Sequence, residues 1–215
     1  MEELKGELIK KGAEAELYRI EWMGYPAVLK RRIPKAYRHP QLDYAIRRSR
    51  TIKEAQLLSE ARRAGVPTPP VFSVNLKDTS IVMRYIEGPT LRSVFDELSE
   101  SERAKACEHV GELVAKLHLA GIVHGDLTPA NLIMAGDEIF FVDFGLAERS
   151  KSVEDRGVDL YLLKRALTSA HYKYAEPSFS HVVAGYSSVM GGEKAKEVVE
   201  RVGEIEKRGR YITFR

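Results

Sequence analysis

Between Ile122 and Gly145 the chain reads I-V-H-G-D-L-T-P-A-N-L-I-M, then A-G-D-E, then I-F-F-V-D-F-G. No other stretch limits the fold so tightly. Two apolar runs, each of a length suited to a short strand, end in turns that carry oxygen-bearing side chains. Asp126 and Asn131 lie five residues apart on a polar, proline-containing loop, and Asp143 follows the run Ile139–Val142 at the head of Asp-Phe-Gly. Hard Mg²⁺ ions that bridge nucleotide phosphates need a few carboxylate and amide oxygens on rigid turns, with another carboxylate left to accept a hydroxyl proton. The three residues fit those roles.

The order H-G-D-L-T-P-A-N followed by V-D-F-G resembles the catalytic loop and metal-binding triplet of protein kinases. By that resemblance Asp126 is the catalytic base, and Asn131 and Asp143 hold the metal. Taken singly, Asp-Phe-Gly could be a plain turn and His124-Gly125-Asp126 a polar loop. Their joint occurrence between apolar runs favours the kinase reading.

A chain of 215 residues suits one domain or two small lobes. At 44% hydrophobic and 30% charged residues the composition is globular, and no window reaches the ~18 apolar residues of a membrane span. The N-terminus lacks the apolar core of a secretion signal. Cys107, the only cysteine, recurs with Val110, Val114 and Leu117 on one helical face and reads as a buried thiol. A cytoplasmic, reducing location fits these features.

The net charge of +3 is unevenly spread. Residues 1–86 hold 17 Lys/Arg against 10 Asp/Glu, whereas residues 87–215 hold 17 against 21. Two basic concentrations stand out, Lys30–Arg50 and the final nine residues, K-R-G-R-Y-I-T-F-R. Either could be a solvated face, and either could meet a polyanion such as RNA.

Residues 1–86 read as a small β-rich lobe with one long helix. E-L-I-K-K, E-L-Y-R-I and P-A-V-L-K alternate as strands do, with a turn at Met23-Gly24. Gly12, Ala13, Glu14 and Ala15 occupy the place where kinases carry a glycine-rich, phosphate-covering loop, and only Gly12 keeps the glycine. Lys30 ends A-V-L-K and resembles the kinase lysine that contacts the α and β phosphates. Its partner is expected on a helix over Leu42–Arg63, whose apolar face is Leu42, Ala45, Ile46, Ile52, Leu57, Leu58 and Ala61. Glu54 is the first choice and Glu60 the fallback, while an Arg50–Glu54 surface pair at i, i+4 is the competing reading. Two further strands lead to E-G-P-T, which resembles a kinase hinge. Met83 would then stand beside the adenine, and the backbone of Arg84 and Ile86 would meet its edge.

Residues 87–206 read as a helical lobe. Ser99 and Glu102 form a capping-box pattern ahead of a helix ending near Leu119, with Gly121 at its C′ position. Asp159 opens an apolar helix where kinases bury an aspartate that braces the catalytic loop. Helices broken near Pro177 and Gly191-Gly192 follow, and 207–215 form a mobile basic tail.

Only thirteen residues separate Gly145 from Asp159, and no Ala-Pro-Glu follows. An activation segment has no room. Gly125 stands where regulated kinases place an arginine that reads a phosphate on that segment, and Thr128 where many carry lysine. The expected fold is therefore α+β, a minimal bilobal protein-kinase-like fold with a small β-rich N-lobe and a shortened helical C-lobe lacking an activation segment.

With Y-R-H-P-Q-L-D, G-A-E-A, R-T-I-K-E-A, E-D-R-G-V-D-L-Y and the basic C-terminus added, the chain resembles the small atypical protein kinases of the KEOPS tRNA-modification complex over nearly its whole length. Lys11 departs from the glutamine that often precedes G-A-E-A there. The resemblance implies ATP and Mg²⁺, serine/threonine kinase or ATPase activity, and support of threonylcarbamoyl-adenosine formation in tRNA. It implies a threonylcarbamoyl transferase subunit as partner and tRNA contact through the basic N-lobe and C-terminal tail, with no membrane and no DNA. Two other classes share parts of the pattern: small-molecule phosphotransferases of the aminoglycoside or choline kinase type, and a nucleotide-sensing scaffold. RIO-type kinases also lack the segment, but Phe144-Gly145 and the absence of a G-K-E-[SA] loop argue against them.

Overall fold

The computed structural model describes the backbone of residues 6–212 and the side chains of residues 6–208. Two compact units form, one from the chain up to Glu60 with Thr68–Ile86, the other from Ala61–Pro67 with the chain from Glu87 onward.

The first unit is an antiparallel sheet with one helix. Its strands are β1 (Glu7–Lys11), β2 (Ala15–Trp22), β3 (Tyr25–Arg32), β4 (Val71–Asn75) and β5 (Ser80–Arg84), in the order β1-β2-β3-β5-β4. Met23 and Gly24 both take positive φ, 52° and 82°, the geometry of the two-residue hairpin turn that matches strand twist. That turn sets the β2–β3 register, which pairs Leu17 with Lys30 and brings Ile20 opposite Ala27. Ile20, Ala27 and Val82 bury together beneath Tyr18, Trp22 and Leu29.

The helix α1 runs Pro40–Arg63, starting two residues before the expected Leu42 because proline suits a first helical position whose N–H has no partner to lose. Its buried face also differs from expectation. Leu42 is 57% exposed and Ala45 is exposed, while Thr51, Glu54, Ala55, Leu57, Leu58 and Ala61 are buried. The first turns are held by polar contacts instead, Asp43 accepting from Arg47 Nε at 2.7 Å. The end is a Schellman motif: Gly65 (φ 82°) donates to the Arg62 carbonyl and Val66 to that of Ala61.

The second unit is mostly helical, with α2 (Leu91–Val94), α3 (Glu100–Leu119), α4 (Val153–Ala170), α5 (Ala175–Met190) and α6 (Gly192–Ile212). Short strand pairs carry the loops between α3 and α4, namely β6 (Ile122–Val123) with β9 (Glu148–Arg149), and the hairpin β7 (Leu132–Ala135) with β8 (Glu138–Phe141). The Ser99–Glu102 capping box is formed in both directions. Helices α3 and α5 approach through glycines, since a Cβ on Gly111 would lie 2.0 Å from the Val182 carbonyl oxygen and one on Gly185 1.9 Å from that of Glu108.

Two boundaries depart from expectation. The break between α4 and α5 falls at 171–174, not at Pro177, which sits third in α5 where no intrahelical donor is required. The chain also does not leave its packed elements at Lys207: α6 continues to Ile212, and Arg208 Nη2 pairs with Glu154 at 2.9 Å. Arg215 lies outside the described residues. No described helix is long and apolar enough to cross a membrane.

Candidate active site

In the second unit the loop after β6 is built on buried polar contacts. Asp159, on α4 and 1% exposed, accepts the backbone amides of His124 at 2.5 Å and Gly125 at 2.7 Å. The same carboxylate meets His118 Nε2 at 3.2 Å, and His118 Nδ1 lies 3.0 Å from the Tyr186 hydroxyl. His124 is fully enclosed, and burial holds its imidazole below the usual pKa against the opposing pull of Asp159. In the neutral ring, Nε2–H donates to the Val142 carbonyl at 3.1 Å and Nδ1 accepts the Asp126 amide at 3.3 Å. This tautomer ties the Asp126 loop to the strand that delivers Asp143.

Gly125 has φ 75°, and a Cβ there would stand 2.4 Å from the Leu146 carbonyl oxygen. No arginine could occupy this position, which gives the missing phosphate reader a steric cause. The side-chain amide of Asn131 donates from Nδ2 both to the Asp126 carboxylate and to its carbonyl, each at 2.9 Å. Asn131 in turn accepts the Val142 amide through its backbone carbonyl at 3.0 Å. Asp143 is exposed at φ 64°, ψ 65°, while the next residue, Phe144, is buried 4.8 Å from the His124 ring centroid. A buried aromatic beside an exposed carboxylate fixes the direction in which the turn presents Asp143. Asp126, Asn131 and Asp143 are thus joined through one hydrogen-bonded backbone.

The first unit holds the remaining expected residues. Lys30 Nζ lies 2.5 Å from Glu54 Oε1, and Arg32 Nη2 lies 2.6 Å from Glu54 Oε2. Both oxygens of this buried glutamate are occupied. Arg50 pairs not with Glu54 but with Glu14, reaching both carboxylate oxygens at 2.6 and 2.5 Å. Gly12–Ala15 close a turn in which the Gly12 amide donates to the Ala15 carbonyl at 2.9 Å. Met83 is buried in β5, the Arg84 amide donates to the Pro70 carbonyl, and Ile86 is buried. Cys107 is enclosed in α3, where burial pushes its thiol up to about 11, so it is no nucleophile.

Sequence reasoning missed His118, Tyr186 and Arg32. His118 sits on an apolar helical stripe, Tyr186 is 68 residues away from it, and Arg32 reads as one of a run of cations. None carries a local pattern that announces its partner.

Comparison with known proteins follows the same line. A RIO-domain family model matches residues 16–155. The chain is 48% identical over 210 residues to a KEOPS complex subunit Bud32 of Pyrococcus abyssi, covering 95% of this chain and 96% of that one. It is 41% identical to a probable bifunctional tRNA threonylcarbamoyladenosine biosynthesis protein of Methanothermobacter thermautotrophicus, covering 97% of this chain but only 37% of that protein. The Rio2 kinase of Chaetomium thermophilum, solved as an ADP/Mg²⁺-phosphoaspartate complex, superposes with a TM-score of 0.65 at 16% identity, over 93% of this chain and 70% of that one. That likeness establishes an α+β kinase-like fold. The expectation that Phe144-Gly145 and the absent G-K-E-[SA] loop argue against a RIO-type chain is overturned: the match begins past the Gly12–Ala15 turn and runs through Phe144-Gly145, so neither feature discriminates. The chain belongs to the RIO-domain family.

Proposed function

We propose that this chain is an atypical serine/threonine protein kinase and ATPase that works as a subunit of a KEOPS-type complex and supports threonylcarbamoyl-adenosine formation in tRNA. The observation that carries the reading is the 48% identity spanning both this chain and a KEOPS subunit almost end to end. Residues 1–86 would bind the nucleotide, 87–206 would carry the catalytic groups, and 207–215 would add basic residues for tRNA. The same reading makes the protein cytoplasmic.

The donor set suits Mg²⁺. The Asn131 amide nitrogen is spent on Asp126, which leaves its carbonyl oxygen as the acceptor, and Asp143 offers an exposed carboxylate. A hard ion of this kind takes one or two protein oxygens and completes its shell with phosphate oxygens and water. Asn131 and Asp143 would hold the Mg²⁺, which would supply neutralisation of the charge that develops on the nucleotide phosphates.

Lys30, fixed by Glu54, would contact the α and β phosphates, and the Gly12–Ala15 turn would cover them. Met83 and the backbone of Arg84 and Ile86 would receive the adenine. Asp126 would accept the proton of the attacking hydroxyl or water, oriented by the Asn131 hydrogen bond. Partners would be the threonylcarbamoyl transferase subunit and tRNA. That a relative named bifunctional matches this chain over 37% of its length supports a second activity working beside it. The relatives do not favour the aminoglycoside or choline kinase reading.

The test is ATP turnover by the purified chain alone, with an ANN-decoding tRNA, and with the transferase subunit. Turnover stimulated by the subunit or the tRNA is expected. No hydrolysis by folded protein under any condition would refute the reading, and efficient transfer to an aminoglycoside or choline would replace it.

A further inference from the structure

Five charged side chains of the first unit alternate in sign across β3, α1 and the Gly12–Ala15 turn. Lys30 meets Glu54 at 2.5 Å, Glu54 meets Arg32 at 2.6 Å, Arg32 Nη1 faces Glu14 at 3.7 Å, and Glu14 meets Arg50 at 2.5 Å. We infer that Arg32 and Arg50 are positioning residues that lock the phosphate-covering turn to the Lys30–Glu54 pair through Glu14. The inference rests on the nucleotide-site reading above.

The geometry of α1 makes the ladder possible. Arg50 and Glu54 are one helical turn apart on the same face, so one helix grips the turn with a cation and the lysine with an anion. Arg32 bridges the two grips from β3. The backbone adds to the hold: the Ile33 amide donates to the Glu14 carbonyl at 3.1 Å, and Lys35 Nζ donates to the Ala13 carbonyl. Arg50, first by its hydrogen bond and then by its charge, holds the Glu14 carboxyl below its usual range, with Arg32 and Arg38 adding to the effect. Glu14 therefore stays ionised and paired.

A carboxylate in a turn meant to cover phosphates would repel them if it swung free. Held by two guanidiniums, it becomes an anchor. A glycine-rich loop reaches its closed form by flexibility and loses that freedom on binding; this turn keeps one glycine and has its form set beforehand by charge. Arg50 and Glu14 are each more than a third exposed, at 37% and 43%, so their replacement leaves the core intact.

The test combines hydrogen exchange of the Gly12 and Ile33 amides, which donate to carbonyls of the turn, in the nucleotide-free chain with the affinity of a fluorescent ATP analogue and Mg²⁺. Arg50→Ala should speed exchange and weaken analogue affinity about three- to tenfold, in the range of coupling between contacting charges. Arg50→Lys should recover part of both effects. KM for ATP should rise more than kcat falls. Glu14→Ala should cost less affinity in the Arg50→Ala background than in the wild type, because the Arg50–Glu14 pair is already lost and only the Arg32 contact at 3.7 Å remains. Unchanged exchange and affinity in Arg50→Ala, or strictly additive losses, would overturn the latch. If wild-type protein bound no nucleotide, the site reading would fail by itself, and the exchange rates would still decide whether Arg50 holds the turn.

Discussion

The Asp159 carboxylate accepts the Gly125 amide at 2.7 Å although the two residues stand 34 positions apart. Its other oxygen takes the His124 amide, so one buried side chain of α4 sets two consecutive peptides of the loop that carries Asp126. Buried amides must be paired, and at this position α4 supplies the acceptor.

Replacing Asp159 with alanine should therefore cost about 2–5 kcal/mol, the penalty of leaving buried amides unpaired. Asp159→Asn, which keeps one acceptor oxygen, should cost less than the alanine variant. Urea denaturation with an unchanged m-value would report both losses. A loss within about 0.5 kcal/mol for the alanine variant, typical of surface positions, would mean that water or other groups satisfy the loop.

Lys30 and Glu54 should act as one unit in turnover. A double-mutant cycle with Lys30→Met and Glu54→Gln should give losses that do not add, because either change already dissolves the pair. Arg32 stays on Glu54 Oε2 in the Lys30→Met variant, so that variant should remain folded. Additive losses in ATP turnover would separate the two residues functionally.

Acid should weaken the second unit through His124. Burial holds its folded-state pKa below the ordinary 6.5, so the unfolded chain takes up the proton first as pH falls. The stabilisation is fully present above about pH 6.5 and declines below it toward the folded-state value. Denaturation midpoints measured without Mg²⁺ between about pH 7 and 5 should fall for wild type, and with a shallower slope for His124→Asn. Equal slopes would exclude His124 as the source.

Much of this site is legible in the chain because its residues are close in sequence. Asp126, Asn131 and Asp143 span eighteen positions, and their turns carry proline, glycine and apolar flanks that fix strand ends. The resemblance to kinases points from Lys30 to a glutamate on the following helix, with Glu54 ahead of Glu60, and the pair at 2.5 Å is Lys30 with Glu54. What stays hidden is long-range polar pairing. Pleat alternation puts Arg32 on the buried face with Lys30 and leaves Arg31 exposed, but no local pattern names Glu54 as its partner. Likewise Arg50 could serve Glu54 or Glu14, and only the placement of the Gly12–Ala15 turn decides. The early turns of α1 misled for a related reason: Leu42 and Ala45 keep the helical period, but Asp43 and Arg47 take the contacts there. The C-terminal residues misled because glycine and clustered charge suggest a loose end, whereas α6 carries an apolar stripe of Ala195, Val198 and Val202 into the core.

That helix changes how tRNA contact should be tested. Arg208 pairs with Glu154, so truncation after Glu206 would remove this pair and the end of α6 along with the charges. Replacing Lys207, Arg210 and Arg215 with glutamine keeps the pairing. Affinity of the assembled complex for tRNA should fall, and the slope of log affinity against log salt should flatten by up to about 0.9 per lost phosphate contact. Unchanged affinity and slope would leave these cations as a solvated face.

The most direct measurement is Mg²⁺-dependent ATP turnover by the wild-type chain, Asp143→Ala and Asp126→Asn, with analogue binding measured in parallel. Asp143→Ala should abolish turnover by removing the carboxylate that would hold the metal. Asp126→Asn should bind the analogue within about threefold of wild type and lose about 10²-fold or more in turnover, the scale of a general base. Wild-type turnover in both variants would contradict the assignment of the 122–145 stretch as a phosphoryl-transfer site.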